Sequence, residues 1–132
     1  MTGLFYRAAD CLRRRRYPEN HGRIGEDLAH RYLRSQGCIV VARNYRTLAG
    51  TGEIDLVVRD EGRLVFVEVK TRSSSEFGAP ESAVDAEKRM RLQRAARDYA
   101  RRADIPLDTA RFDIVSIILE DSPVIEWLRD AF

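Results

Sequence analysis

Soft metal ligands are scarce in this chain. It has two cysteines, Cys11 and Cys38, and two histidines, His21 and His30, with no CxxC pair and no histidine spacing suited to a shared ion. The two thiols read as reduced cytosolic cysteines, with a single disulfide as the alternative. No run approaches the roughly 18 apolar residues of a membrane span, and the N-terminus lacks the apolar core of a signal peptide, so a cytoplasmic protein with no membrane partner is expected. Proline and glycine are sparse too, four and eight residues. That excludes a fibrous or linker-like chain.

What is present is a globular composition, 44% hydrophobic and 33% charged, over 132 residues. That length accommodates one domain with a core and is short for two. Net charge is only +2, yet it is unevenly spread. Arg7, Arg13, Arg14, Arg15 and Arg16 crowd the first 16 residues, and Lys88, Arg89, Arg91, Arg94, Arg97, Arg101 and Arg102 crowd a second stretch. Each cluster reads either as a solvated surface or as an attractor for a polyanion such as nucleic acid.

Residues 1–20, with the arginine run and "YPEN", read as an arm or a short frayed helix before a single domain at 21–132. In "GRIGEDLAHRYLRSQG" the apolar residues Ile24, Leu28, Ala29, Tyr32 and Leu33 recur with helical spacing, and Gly37 suits a left-handed C-terminal position, giving a helix over 22–36. "CIVVARNYR" predicts a strand, followed by the loop "TLAGTG". "EIDLVV" and "RLVFVEV" then form a hairpin through 59–62, Gly62 supplying the positive φ of the turn. After a polar loop, Ser82 with Asp85 offers a capping pair for a helix over 83–102, whose buried face is Leu92, Ala95, Ala96, Tyr99 and Ala103. "ARFDIVSIIL" predicts a last strand, and "PVIEWLRDAF" is open between strand and short helix. The order α-β-β-β-α-β predicts an α/β domain with a mixed central sheet flanked by helices.

The hairpin carries acids in an apolar setting. By strand alternation Val65, Val67 and Val69 share one face, and Leu64, Phe66, Glu68 and Lys70 the other; on the partner strand Ile54, Leu56 and Val58 are expected on one face, Glu53, Asp55 and Val57 on the other. A two-residue turn at Glu61 and Gly62 sets Asp55 across from Glu68 and Glu53 across from Lys70. Opposed carboxylates cost a few tenths to ~1 kcal/mol unless compensated, and a Mg²⁺ or Mn²⁺ ion compensates well because it takes hard oxygen ligands. Lys70, about 7 Å along the strand from Glu68, would stand beside such an ion and assist an attacking water. The other reading is an ordinary ion pair of Glu68 with Lys70 or an arginine on a solvated face.

Together "GRIGEDLAHRYLRSQG", "ARNYR", "GEIDLVV", "FVEVKTR" and "ARFDIVSI" resemble the YraN-like family of uncharacterised bacterial proteins over about residues 20–120. The resemblance implies a restriction-endonuclease-like core, shared with Holliday-junction resolvases. That superfamily places an acid on the first helix, an aspartate on one strand and Glu-x-Lys on the next, which here fall on Glu26, Asp55, Glu68 and Lys70. It implies that Asp55, Glu68 and the Val69 carbonyl hold Mg²⁺ or Mn²⁺, that Lys70 assists the nucleophilic water, and that Glu26 holds a metal-bound water or a second ion. Glu26 lies about 110° from the centre of its helix's apolar face, at the edge, and reads equally as a first-turn acid complementing the helix dipole. For an enzyme acting on DNA, Arg43, Arg46, Arg72, Lys88, Arg91 and Arg94 would grip backbone phosphates. Junction resolvases work as dimers, so a homodimer is an implied partner. The alternative is a non-catalytic nucleic-acid-binding or adaptor module of the same fold, since a shared fold does not carry an activity with it. Tyr45 and Asp113 read first as structural residues.

Overall fold

The computed structural model describes residues 21–73 and 85–132. The arginine-rich arm, Cys11 and Ser82 lie outside the described residues. Helix α1 (His21–Ser35) leads into strands β1 (Ile39–Arg46), β2 (Glu53–Asp60) and β3 (Arg63–Arg72); helix α2 (Ala86–Ala103), β4 (Arg111–Ile118) and β5 (Val124–Leu128) follow. The five strands form one sheet in the order β1-β2-β3-β4-β5. All neighbours are antiparallel except β3 and β4, which run parallel with α2 as the crossover between them. The expected α-β-β-β-α-β order is therefore present. The tail "PVIEWLRDAF" resolves as the edge strand β5.

Each face of the sheet has its own apolar layer. Ile24, Leu28 and Leu33 of α1 cover Leu56, Val58, Val65, Val67 and Val115, the all-valine face of β3 among them. On the other face Leu92, Ala95 and Ala96 of α2 cover Ile54, Val57, Leu64, Phe66 and Ile114. Two buried faces explain why β3 reads as a nearly continuous apolar run rather than an alternating one.

Turn chemistry matches the residues. Glu61 and Gly62 adopt φ 51° and 81°, both positive as a tight two-residue hairpin turn requires. Gly25 is required by packing: a Cβ there would stand 2.9 Å from the Thr71 Cβ, so α1 approaches the end of β3 only because residue 25 has no side chain. Glu26 sits beside that contact.

Three local expectations are corrected. Asp85 is itself the N-cap of α2, its carboxylate accepting the Lys88 N–H at 2.9 Å, so the helix starts at Ala86 rather than 83. Ala103 is exposed and Ala100 takes its place on the buried face, because Asp104 (φ 54°) turns the chain out of the helix. Ile54 packs with Val57 against α2 instead of with Leu56 and Val58. Its alternation breaks at Asp55, where the facing strand β1 carries Asn44 at φ 51° and the Asn44–Asp55 pair is missing from the ladder.

Candidate functional site

The hairpin register is the expected one from Asp60↔Arg63 to Leu56↔Val67, and there the ladder stops. Asp55 and Glu68 would be the next pair, but they are not bonded across the strands as such. The Asp55 carboxylate instead takes the place of a backbone acceptor: Oδ2 accepts the Val69 N–H at 2.8 Å. Glu53, expected opposite Lys70, pairs with Arg46 of β1 in the ladder and at 3.5 Å between side chains. The end of the hairpin is thus opened by a side chain that replaces one rung. In an extended strand a residue's N–H and C=O point to the same edge, so the Val69 carbonyl faces the opening that holds Asp55.

Burial and charge both act on Asp55. Desolvation first, and then the neighbouring Glu68 carboxylate, push its pKa up to about 8, against the pull of the Val69 hydrogen bond. The two acids are close enough to feel each other, as the hairpin geometry led one to expect. Glu68 is 12% exposed at its side chain and meets two ammonium groups, Lys88 Nζ at 3.4 Å and Lys70 Nζ at 4.0 Å. Lys70 is pulled below the ordinary lysine range by burial and then by Lys88 beside it, with Glu68 and Asp55 opposing. Lys88 is raised: burial works against its charge, and the contacts with Lys70 and Glu68 outweigh that. A lysine of reduced basicity next to a proton-rich carboxylate is the kind of asymmetry that acid–base work uses.

Glu26 stands further off. It adds to the charge felt by Asp55, but Arg43 holds it at 3.7 Å and Asp27 at 2.8 Å. Among the described residues no group of three or more His, Cys, Asp or Glu side chains is placed to hold one ion, so Glu26 does not join Asp55 and Glu68 in a three-acid cluster. The donors at this end of the hairpin, the Asp55 and Glu68 carboxylates and the Val69 carbonyl, are all hard oxygen. Such a set suits a hard cation of the Mg²⁺ or Mn²⁺ kind and lacks the thiolate and imidazole ligands of structural zinc and copper sites.

The expected phosphate-gripping residues separate into groups. Arg43 is committed to the α1 acids, Arg46 to Glu53, and Arg72 ends β3 opposite Ile118. Arg91 and Arg94 project from α2 into solvent. Lys88 belongs to the carboxylate centre itself. No spacing in the sequence signals that role, because it depends on where the crossover helix lands.

Asp113 and Tyr45 are structural, as expected. Asp113 is fully buried and accepts both Arg111 nitrogens, the Trp127 indole N–H and the Asp130 N–H, each at 2.9 Å. It lies with Val115 and Trp127 on the α1 face, whereas Glu68 faces α2. Tyr45 meets Tyr99 edge-on at 5.2 Å and gives its hydroxyl to Asp98. A cavity of about 560 Å³ opens at the β2–β3 turn among Arg59, Glu61, Arg63 and Thr109, and neither Asp55, Glu68 nor Lys70 lines it.

Fold and site together define a mixed α/β protein whose central strands carry a half-buried carboxylate–lysine centre. Residues 25–117 match the family described as uncharacterised protein family UPF0102, and the chain belongs to that family, the YraN-like group of the sequence resemblance. It is similar to UPF0102 proteins of Solibacter usitatus, 81% identical over 132 residues and the whole of both chains, and of Ralstonia pickettii, 47% identical over 115 residues covering 84% of this chain and 88% of that one. A relative in Dictyoglomus turgidum is 40% identical over 114 residues, covering 84% and 95%. Among the described residues no helix is long and apolar enough to cross a membrane.

Proposed function

We propose that the protein is a Mg²⁺- or Mn²⁺-dependent nuclease acting on DNA, with branched and junction structures the first substrates to try. The single observation that carries this reading is the Asp55–Glu68–Lys70 centre, in which a desolvated carboxylate with pKa about 8 adjoins a second carboxylate and a lysine of lowered basicity.

Asp55, Glu68 and the Val69 carbonyl would hold the ion. Bound there, it would make a water more acidic and offset charge building on the phosphorus. The rest falls to the chain's own groups. The Val69 N–H fixes the Asp55 carboxylate in one orientation, so its second oxygen stays free to face the opening. Lys70, held near Glu68 with its pKa lowered by burial and by Lys88, gives up its proton more readily than an ordinary lysine, and in its neutral form would accept one at Nζ from the attacking water. Lys88 keeps its charge beside Glu68 and offers an ammonium to a phosphate oxygen. Glu26, at the edge of α1 and 3.7 Å from Arg43, would hold a metal-bound water rather than bind the same ion.

Purified protein with Mg²⁺ and with Mn²⁺ is expected to cut at least one of single-stranded, duplex, flap and four-way-junction DNA, and Lys70→Ala to lower the rate by about 10²-fold or more. Cleavage surviving in both Lys70→Ala and Asp55→Ala refutes the mechanism. A second reading, a nucleic-acid-binding or adaptor module of the same fold, is favoured by one observation: the Lys88 ammonium already neutralises Glu68 without an ion. Salt-dependent binding that is unchanged by Glu68→Ala, with no metal-dependent turnover, would establish it.

A further inference from the structure

The loop between β1 and β2 is built to stand against the crossover helix. Thr47 Oγ1 accepts the N–H groups of Thr51 at 3.1 Å and Gly52 at 3.2 Å, and the Thr47 N–H reaches the Gly52 carbonyl at 3.1 Å. Gly52 then touches the middle of α2 so closely that a Cβ there would stand 2.6 Å from the Arg91 carbonyl oxygen and 2.9 Å from the Ala95 nitrogen. The loop is thereby closed on itself and seated on the helix. Between the two runs a groove of about 410 Å³, with Thr47 to Thr51 on one wall and Arg94, Arg97, Arg101 and Arg102 on the other.

Four guanidinium groups line this groove against one carboxylate, Asp98. Asp98 fixes two of them, Arg101 at 2.7 Å and Arg102 at 3.4 Å, and is itself anchored by the Tyr45 hydroxyl. Among the described residues Arg94 and Arg97 enter no ion pair and are exposed. The groove is thus pre-shaped, strongly positive and only partly neutralised from within.

We infer that this groove is a second binding site for the phosphodiester backbone of the nucleic-acid strand whose scissile bond lies at Asp55 and Glu68. The inference rests on the nuclease reading and supplies the path its substrate takes. From Arg94 to Arg102 the helix rises about 12 Å, the length over which one strand of a duplex carries three to four phosphates. One free phosphate cannot engage arginines spread over that distance; a chain of phosphates can. The line continues along α2 through Arg91 to Lys88, which touches Glu68, so about 9 Å of helix joins the groove to the carboxylates and the whole run from Lys88 to Arg102 rises about 21 Å. An acidic peptide would meet the charge but not the regular spacing of fork-shaped, bidentate partners that guanidinium groups offer phosphates.

The test uses the full chain in EDTA, so that it is independent of cleavage. Binding of a fluorescent flap oligonucleotide is followed by anisotropy over a range of KCl for wild type, for Arg94→Gln with Arg97→Gln, and for the control Arg59→Gln on β2. Neither groove arginine holds an ion pair among the described residues, so the double variant is expected to fold. The expected result is an affinity about ten-fold weaker at 0.1 M salt and a salt dependence shallower by between one and two contacts' worth, with the control unchanged. Displacement of the probe by single-stranded DNA, but not by polyglutamate of equal charge, supports the phosphodiester assignment. Wild-type affinity and slope in the double variant, or equal displacement by polyglutamate, overturns it while leaving the nuclease reading in place. Failure of wild type to bind any oligonucleotide removes both.

Discussion

Replacing Asp55 by asparagine isolates the energetic cost of the carboxylate centre. The amide oxygen keeps an acceptor for the Val69 N–H, now at 2.8 Å, and the negative charge is lost. Asp55 has an ordinary value of 3.8 and a folded-state value of about 8, so the folded protein holds a proton that the unfolded chain releases. Below pH 3.8 both states are protonated and the contribution is complete; it is lost as pH rises through about 8. Between those limits wild-type stability falls by roughly 1.4 kcal/mol per pH unit from this group. From pH 5.5 to 7.5 that is at most about 2.7 kcal/mol, and about 2 once the neighbouring lysines share the proton uptake. Urea unfolding in EDTA at the two pH values reads it as a midpoint shift of about 1 M. Asp55→Asn should lack this shift and be the more stable protein at pH 7.5. Parallel pH dependence in the two proteins, or an asparagine variant less stable than wild type at pH 7.5, would refute the argument that desolvation dominates at Asp55.

Two further outcomes follow from the same geometry. Lys88 competes with a cation for Glu68 across 3.4 Å, so Lys88→Met should tighten Mn²⁺ binding about five-fold or more, taking about 1 kcal/mol for two charges at that range in a water-like medium; calorimetry giving equal or weaker binding contradicts this. Asp113→Ala strands the Arg111 guanidinium and the Trp127 and Asp130 N–H groups. The cost should be about 3–5 kcal/mol by urea unfolding, and a loss below about 1 kcal/mol would show that the buried network is dispensable.

Much of this arrangement is legible in the residues. The helical period from Ile24 to Leu33, the Glu61–Gly62 turn and the valine alternation fix α1, the hairpin register and the face on which Glu68 and Lys70 stand, because each rests on local geometry. The same rules miss Ile54, since its displacement follows from Asn44 adopting a positive φ on another strand, and asparagine does so only occasionally. They pair Asp55 with Glu68 as a ladder rung, whereas the carboxylate bonds to the Val69 backbone, a choice between side chain and main chain that alternation cannot encode. Lys88 reads as one of seven basic residues on a helix, and its contact with Glu68 depends on a crossover whose landing point is set by the packing of Leu92, Ala95 and Ala96 on Phe66 and Ile54. The Asp113 network is distant in sequence for a similar reason: it ties β4 to Trp127 and Asp130, beyond the reach of any local motif.

Titration of Mn²⁺ into wild type and Asp55→Ala by calorimetry at pH 7.5, with no nucleic acid present, bears most directly on the claim that the hairpin carboxylates form a cation site. Saturable binding by wild type that disappears in Asp55→Ala is the predicted result. Binding of equal strength in both proteins, or none in either, would contradict it.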